Sequence, residues 1–227
     1  MQGSQDRTKL IILAAFALGA AAVVVGILIG RGGGDDGDSA GTAGAAGCEQ
    51  AKAPKPKNVS FEAPRQTVKR GETLTAVVAT SCGEFEIALD SQRVPKTVNS
   101  FAFLAERGFY DGLTFHRVAP GFVIQGGDPL GDGTGGPGYS VDEEPPPNLA
   151  YTRGVVAMAK SSAEPPGRSG SQFFVVLSAD AGLPAEYALV GKVSEGLGVV
   201  ERIGELGTPA ETPKQTVLIE TVEIETG

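Results

Sequence analysis

The sequence predicts a mainly β domain, built from many short strands and few helices and preceded by one membrane-spanning helix. Apolar residues recur with period two in short runs such as Phe115–Val118, and Gly or Pro turns separate the runs. The chain holds 33 Gly and 15 Pro but no Trp, a composition suited to strands joined by loops. From Leu10 to Ile29 there is no charged residue, and at 1.5 Å per residue that stretch spans about 30 Å, the thickness of a bilayer's hydrocarbon core.

The elements follow in order. Arg7 and Lys9 precede the apolar stretch, and Arg31 is the one base in the acidic Gly/Asp segment after it, so charge bias favours residues 1–9 inside and the rest outside. The favoured reading is an uncleaved signal anchor over 10–30. A cleaved signal peptide, or a lipoprotein processed at Cys48, are the alternatives, and Cys48 lies far behind the apolar run for either. All three put the following domain outside the cytoplasm, at the cell membrane. Residues 31–70 read as a flexible linker and stalk: Gly32–Gly47, rich in Gly, Ala and Asp, as a flexible spacer, Ala51–Lys57, which interleaves Pro and Lys, as a short extended stalk, and Asn58–Ser60 as a glycosylation sequon. Cys48 and Cys82, an even count in an oxidising compartment, read as a disulfide, with two buried thiols as the alternative.

Residues 71–227 read as one domain. Thr73–Ala79 and Phe85–Leu89 predict paired strands, and Val98, Phe101, Leu104 and Ala105 place one apolar face on a helix over Pro95–Arg107 that Gly108 ends. Phe115–Val118, the turn at Pro120 and Gly121, and Phe122–Ile124 form a hairpin. Val155–Lys160, Phe173–Ser178, Ala188–Val193 and Val217–Ile224 supply later strands, and Leu197–Ile203 a second short helix.

Several function classes are excluded. A net charge of −8, with no basic stripe, argues against nucleic acid as a partner. His116 is the one histidine, and without a GxSxG elbow it reads as a buried, hydrogen-bonded structural residue rather than part of a hydrolase triad. Neither cysteine sits in a CxxC pair, Asp142–Glu144 reads as a solvated loop, and Gly131, Gly133 and Gly136 match GxGxxG without its strand-to-helix setting. No metal and no cofactor is therefore expected.

Within the hairpin, period two puts Phe115 and Arg117 on one face of the first strand, and Val123 and Gln125 on one face of the second. If those faces meet, a cation and an amide stand beside apolar walls. The run Phe115–Gly127 resembles the signature segment of cyclophilin-type peptidyl-prolyl isomerases. Gly133–Gly136 is similar to that family's glycine-rich loop, Val155–Ala159 to its central strand, Gly170–Phe174 to its second hallmark and Val190–Val193 to a later strand, in family order over roughly Thr73 to Glu225. The resemblance implies a closed eight-stranded antiparallel β-barrel with two helices, and proline-containing polypeptides as substrate.

Rotation about an X-Pro bond crosses a barrier of ~18–20 kcal/mol. An acceleration of about 10⁴-fold requires preferential binding of the twisted amide by on the order of 5.5 kcal/mol. The twisted amide offers a lone pair on the prolyl nitrogen, so a fixed donor and an apolar pocket for the ring suffice, without a nucleophile. Arg117 suits the donor role because its guanidinium stays charged and presents a rigid fork. A hydrogen bond to a charged group contributes about 1.5–3 kcal/mol, so burial and positioning supply the remainder.

The resemblance implies catalytic roles for Arg117, Phe122 and Gln125, with Phe122, Val123, Phe174 and Leu183 holding the proline ring and Gln125 meeting the substrate carbonyl. It places the backbone of Lys160 against the residue before proline, and Gly133, Ala159, Ser161, Gln172 and Tyr187 along the substrate path. The best-known family members carry Met at the place of Val123, Trp at Gly182 and His at Tyr187, so weak cyclosporin binding is expected where the indole is missing. Ala119, Lys160 and Ser161 are milder departures. The alternative is a catalytically weak proline-binding scaffold or chaperone.

Overall fold

The structure, a computed structural model, describes residues 47–227. The membrane-spanning helix expected over 10–30 lies outside the described residues, and among those described no helix is long and apolar enough to cross a membrane. The elements are β1 (Leu74–Thr80), β2 (Gly83–Leu89), α1 (Pro95–Glu106), β3 (Leu113–Thr114), β4 (Arg117–Ala119), β5 (Val123–Gly126), β6 (Val141–Asp142), β7 (Val155–Met158), β8 (Arg168–Ser169), β9 (Phe173–Val176), β10 (Leu189–Glu195), α2 (Leu197–Glu205) and β11 (Leu218–Thr226).

The fold is mainly β, and its sheet is not the closed eight-stranded barrel that the sequence led us to expect. One nine-stranded sheet runs β3-β11-β1-β2-β10-β7-β9-β5-β4, and β6 pairs with β8 apart from it. The two end strands are consecutive in the chain, with Phe115 and His116 between them. The strand expected over Phe115–Val118 forms only from Arg117. Leu113–Thr114, ahead of it, pairs with β11 and Arg117–Ala119 with β5, so the sheet curls round until the chain itself, not a ladder of hydrogen bonds, joins the edges.

The interior is filled from alternate positions of the strands, as in β1, where Leu74, Ala76, Val78 and Thr80 are buried and the intervening residues are not. Helix α1 packs the face expected of it, with Val98, Phe101, Leu104 and Ala105 buried. Phe101, Tyr110 and Phe115 meet Phe173 edge-on, with ring centroids 5.6, 5.6 and 6.0 Å away. Gly108 ends the helix at φ +61, a conformation that favours glycine.

The acidic run does more than solvate a loop. Glu143 accepts hydrogen bonds from the backbone N–H groups of Lys96 and Thr97 at 3.2 and 2.7 Å, capping α1 from a distant loop. Asp142 pairs with Arg168 across β6 and β8 at 2.8 Å.

Residues 48–70, read from sequence as linker, lie along the domain as a strap. Cys48 and Cys82 form a disulfide, and Glu49 N–H donates to Ser81 O at 2.7 Å. Lys57 N–H donates to Pro129 O and Phe61 N–H to Pro137 O, both at 2.8 Å. The Phe61 ring stands edge-on to Phe103 and Phe109, and Asn99 of α1 accepts from the N–H groups of Thr67 and Val68.

Candidate active site

The hairpin β4–β5 builds the centre of the site. Arg117 stands opposite Gln125 and Ala119 opposite Val123, so all four project from one face. The next strand continues the row, because Gln125 stands opposite Phe174 and Phe174 opposite Ala157. The sequence pattern brought Arg117 and Gln125 to one face only if the two strands met in this register, and they do.

The polar side chains are joined in one line. Arg117 Nη1 donates to Gln125 Oε1 at 3.1 Å, Gln125 Nε2 donates to Gln172 Oε1 at 3.0 Å, and Gln172 Nε2 donates to the carbonyls of Gly133 and Gly135 at 3.0 and 2.9 Å. Each amide is thereby fixed with its donor and acceptor ends assigned by its neighbours. Asp128, almost fully buried, holds the glycine-rich loop by accepting from the N–H groups of Leu130 and Gly133.

Apolar walls flank the cation. The Arg117 guanidinium lies 6.0 Å from the centroid of the Phe122 ring. Val123 and Phe174 are buried, while Phe122, Leu183 and Tyr187 are half-buried and pack onto the core. Tyr187 meets Phe174 edge-on at 5.5 Å. Its backbone is clamped by Tyr151, whose hydroxyl donates to Tyr187 O at 2.6 Å and accepts from Tyr187 N–H at 2.9 Å. Burial pushes the Tyr151 phenol up to about 12, so it stays a neutral donor at physiological pH.

The remaining expected residues gather around a neighbouring cavity of about 810 Å³. Gln125, Gly133, Ala159, Lys160, Ser161 and Gln172 line it, whereas Arg117, Phe122, Val123, Phe174, Leu183 and Tyr187 do not. Gln125 and Gln172 thus form the ridge between an apolar patch and a more polar hollow. The Lys160 side chain turns away from ligand duty: it is 5% exposed, lies 3.4 Å from Glu186 and 5.5 Å from the Tyr187 ring centroid, and donates to Glu164 O at 3.1 Å. Its own backbone N–H and C=O have no hydrogen-bond partner among the described residues.

Two residues went unnoticed in the sequence. Glu211 Oε2 accepts from Arg117 Nε at 2.7 Å although 94 positions separate them, and no motif or spacing marks it. Tyr151 likewise lies in a loop without a signal. The expected hydrogen-bonded histidine is corrected: neither ring nitrogen of His116 has a hydrogen-bond partner among the described residues. Burial, the larger influence, lowers its pKa below the ordinary value against the opposing charge of Asp128. Among the described residues no group of His, Cys, Asp and Glu could hold a metal ion.

The family model for cyclophilin type peptidyl-prolyl cis-trans isomerase/CLD matches residues 75–224. The chain is 42% identical over 175 residues to peptidyl-prolyl cis-trans isomerase B of Streptomyces anulatus, a match covering 68% of this chain and 98% of that protein. A peptidyl-prolyl cis-trans isomerase-like 1 of Aspergillus niger is 40% identical over 136 residues, 58% of this chain and 82% of that protein. Among solved structures, a Cryptosporidium parvum cyclophilin type peptidyl-prolyl cis-trans isomerase, crystallised in the presence of the dipeptide Ala-Pro, is similar with a TM-score of 0.62 and 32% identity, over 67% of this chain and 99% of that chain.

Proposed function

This chain belongs to the family of cyclophilin-type peptidyl-prolyl cis-trans isomerases, and we propose that it catalyses X-Pro rotation through Arg117 in a domain held outside the cell membrane. It is a peptidyl-prolyl cis-trans isomerase. The observation that carries the assignment of roles is the placement of Arg117 opposite Gln125, hydrogen-bonded to it and standing over Phe122.

In this reading the proline ring lies on Phe122, Val123, Phe174 and Leu183, with Tyr187 at its margin. Gln125, held by Gln172, faces the carbonyl oxygen as it swings. Arg117 Nη2, which has no protein partner among the described residues, donates to the prolyl nitrogen once twisting has localised its lone pair. The bond forms in the transition state and not in the planar ground state, so it accelerates rotation instead of merely tightening binding. The Lys160 backbone receives the residue before proline, and the hollow bounded by Gly133, Ala159 and Ser161 takes what precedes that.

The test is the cis/trans exchange rate of an Ala-Pro peptide, followed by NMR with the full chain. Arg117→Ala is expected to lose most of the acceleration, and retention of it would refute the role given to Arg117.

The layout is part of the same proposal: a cytoplasmic segment 1–9, a membrane anchor 10–30, a linker 31–47, the strap 48–70 bound to the domain, and a catalytic domain 71–227. The charge-free run Leu10–Ile29 behind Arg7 and Lys9 supports the anchor. A Cys48–Cys82 disulfide suits an oxidising compartment. Its clients would be exported or envelope proteins in a bacterial cell. Fractionation of cells, followed by protease treatment of intact spheroplasts, tests this, and a domain that resists the protease refutes it. Cyclosporin is expected to bind weakly, because Gly182 leaves open space where an indole would stand.

A further inference from the structure

We propose that Glu211 is a positioning residue that aims the Arg117 guanidinium at the substrate, an inference that rests on the role given to Arg117 above. The loop before β11 brings it there. Glu211 N–H donates to Thr208 O at 2.8 Å, and a β-bridge joins Gly207 to Pro213, closing a tight loop. The loop then takes hold of β4 twice: Glu211 O accepts from Val118 N–H at 2.8 Å, and the Glu211 carboxylate accepts from Arg117 Nε at 2.7 Å.

Stability does not account for a glutamate at this position. Its φ is +59, the one positive φ outside glycine among the described residues, and in that region a glycine or asparagine is less strained. Nor does the ion pair compensate. The side chains of Arg117 and Glu211 are 35% and 48% exposed, and pairs so open to solvent contribute little to folding.

What the pair does is geometric. Arg117 has a planar fork on a flexible stem, and two of its nitrogens are held, Nε by Glu211 and Nη1 by Gln125. Two hydrogen bonds fix the plane of the guanidinium, and Nη2 is then directed by that plane. With Gln125 alone, the fork would pivot about one bond. Glu211 touches neither proline nor peptide in this arrangement, so its effect passes through Arg117 and falls on the rotation step more than on binding.

The experiment is a double-mutant cycle on the full chain, with an Ala-Pro peptide as the probe and NMR giving both the exchange rate at saturation and the peptide Kd. Glu211→Gly relieves the positive φ while removing the carboxylate. It is expected to lower the saturated rate about 5- to 20-fold and to change Kd by less than about 2-fold, with Tm unchanged or raised. Glu211→Gln keeps an oxygen acceptor in place and should stay within about 3-fold of the natural protein. In the Arg117→Ala background, Glu211→Gly should change nothing further, since the group it aims is gone. A Glu211→Gly variant as fast as the natural protein, one slowed only through a raised Kd, or one that loses the same factor without Arg117 overturns the inference while leaving Arg117's role intact. Arg117→Ala matching the natural protein overturns both.

Discussion

Removing the Cys48–Cys82 bridge is expected to lower the stability of the domain without abolishing the site. The bridge closes a loop across a sequence separation of 34. Loop-closure entropy for that length is about 12.6 cal/mol/K, which destabilises the reduced protein by about 3.8 kcal/mol at 25 °C through the greater freedom of its unfolded chain. For a domain of this size each kcal/mol moves Tm by about 2–4 °C, giving an expected fall of roughly 8–15 °C. The assay is calorimetry with and without reductant, repeated on a Cys48→Ala/Cys82→Ala variant. Both cysteines are at most 1% exposed, so the alanine variant adds a small cavity and should melt somewhat below the reduced protein. The strap keeps its other anchors, at Lys57, Phe61 and Asn99, so turnover at 25 °C should survive. A fall under about 3 °C in both arms would refute the reasoning, because it would mean the unfolded chain gains little freedom from a loop of that length.

Arg117→Ala should lower kcat/KM roughly 10- to 150-fold, the equivalent of a 1.5–3 kcal/mol hydrogen bond to a charged group, as read by NMR exchange. Gly127→Ala should destabilise by about 2–5 kcal/mol in urea unfolding, because a Cβ there would sit 2.5 Å from Ser171 O at φ +82; Gly121→Ala, at φ +67 with nothing within 4 Å, should cost about 1 kcal/mol. Stability should decline as the pH falls below about 6.5, the ordinary histidine value, since His116 has a lowered pKa and the unfolded chain takes up the proton first; the contribution is full above that pH and lost toward the folded pKa. His116→Gln should flatten that decline in thermal melts between pH 7.5 and 5.5, and an unchanged slope would assign it elsewhere. Calorimetry with cyclosporin should give weak binding, and a tight Kd would show that Gly182 does not matter.

The sequence was readable where a local period or a turn residue decided the outcome. Helix α1 starts at Pro95 and ends by Gly108 because those residues set the backbone there, and its buried face follows from spacing alone. Arg117 and Gln125 were readable as partners because a hairpin with a short turn fixes its own register. The strand at Leu113–Thr114 and the break after it were not, since nothing in the residues around Phe115 says that the stretches before and after it pair with different neighbours. The docking of the strap was not readable for a related reason: Pro and Lys give Ala51–Lys57 the composition of an extended stalk, and the partners of residues 48–70 at Pro129, Pro137 and Asn99 lie far away in the chain. Glu211 combines both difficulties, a side chain without a motif and a partner 94 positions away.

The open seam and the site are connected. Strand β4 pairs with β5 on one side and has no strand on the other, because the sheet does not close. Its outer edge would be left to water, and the Thr208–Glu211 turn covers it by accepting from Val118 N–H. In a closed barrel a neighbouring strand would occupy that edge, and its side chains would alternate between faces at a spacing set by the pleat. A loop has no such constraint. It can place one carboxylate beside Nε of Arg117 while Nη1 is held by Gln125 and Nη2 keeps no protein partner among the described residues. The interruption at Phe115 and His116 therefore leaves Arg117 supported from two sides, by Gln125 of β5 and by Glu211 of the loop.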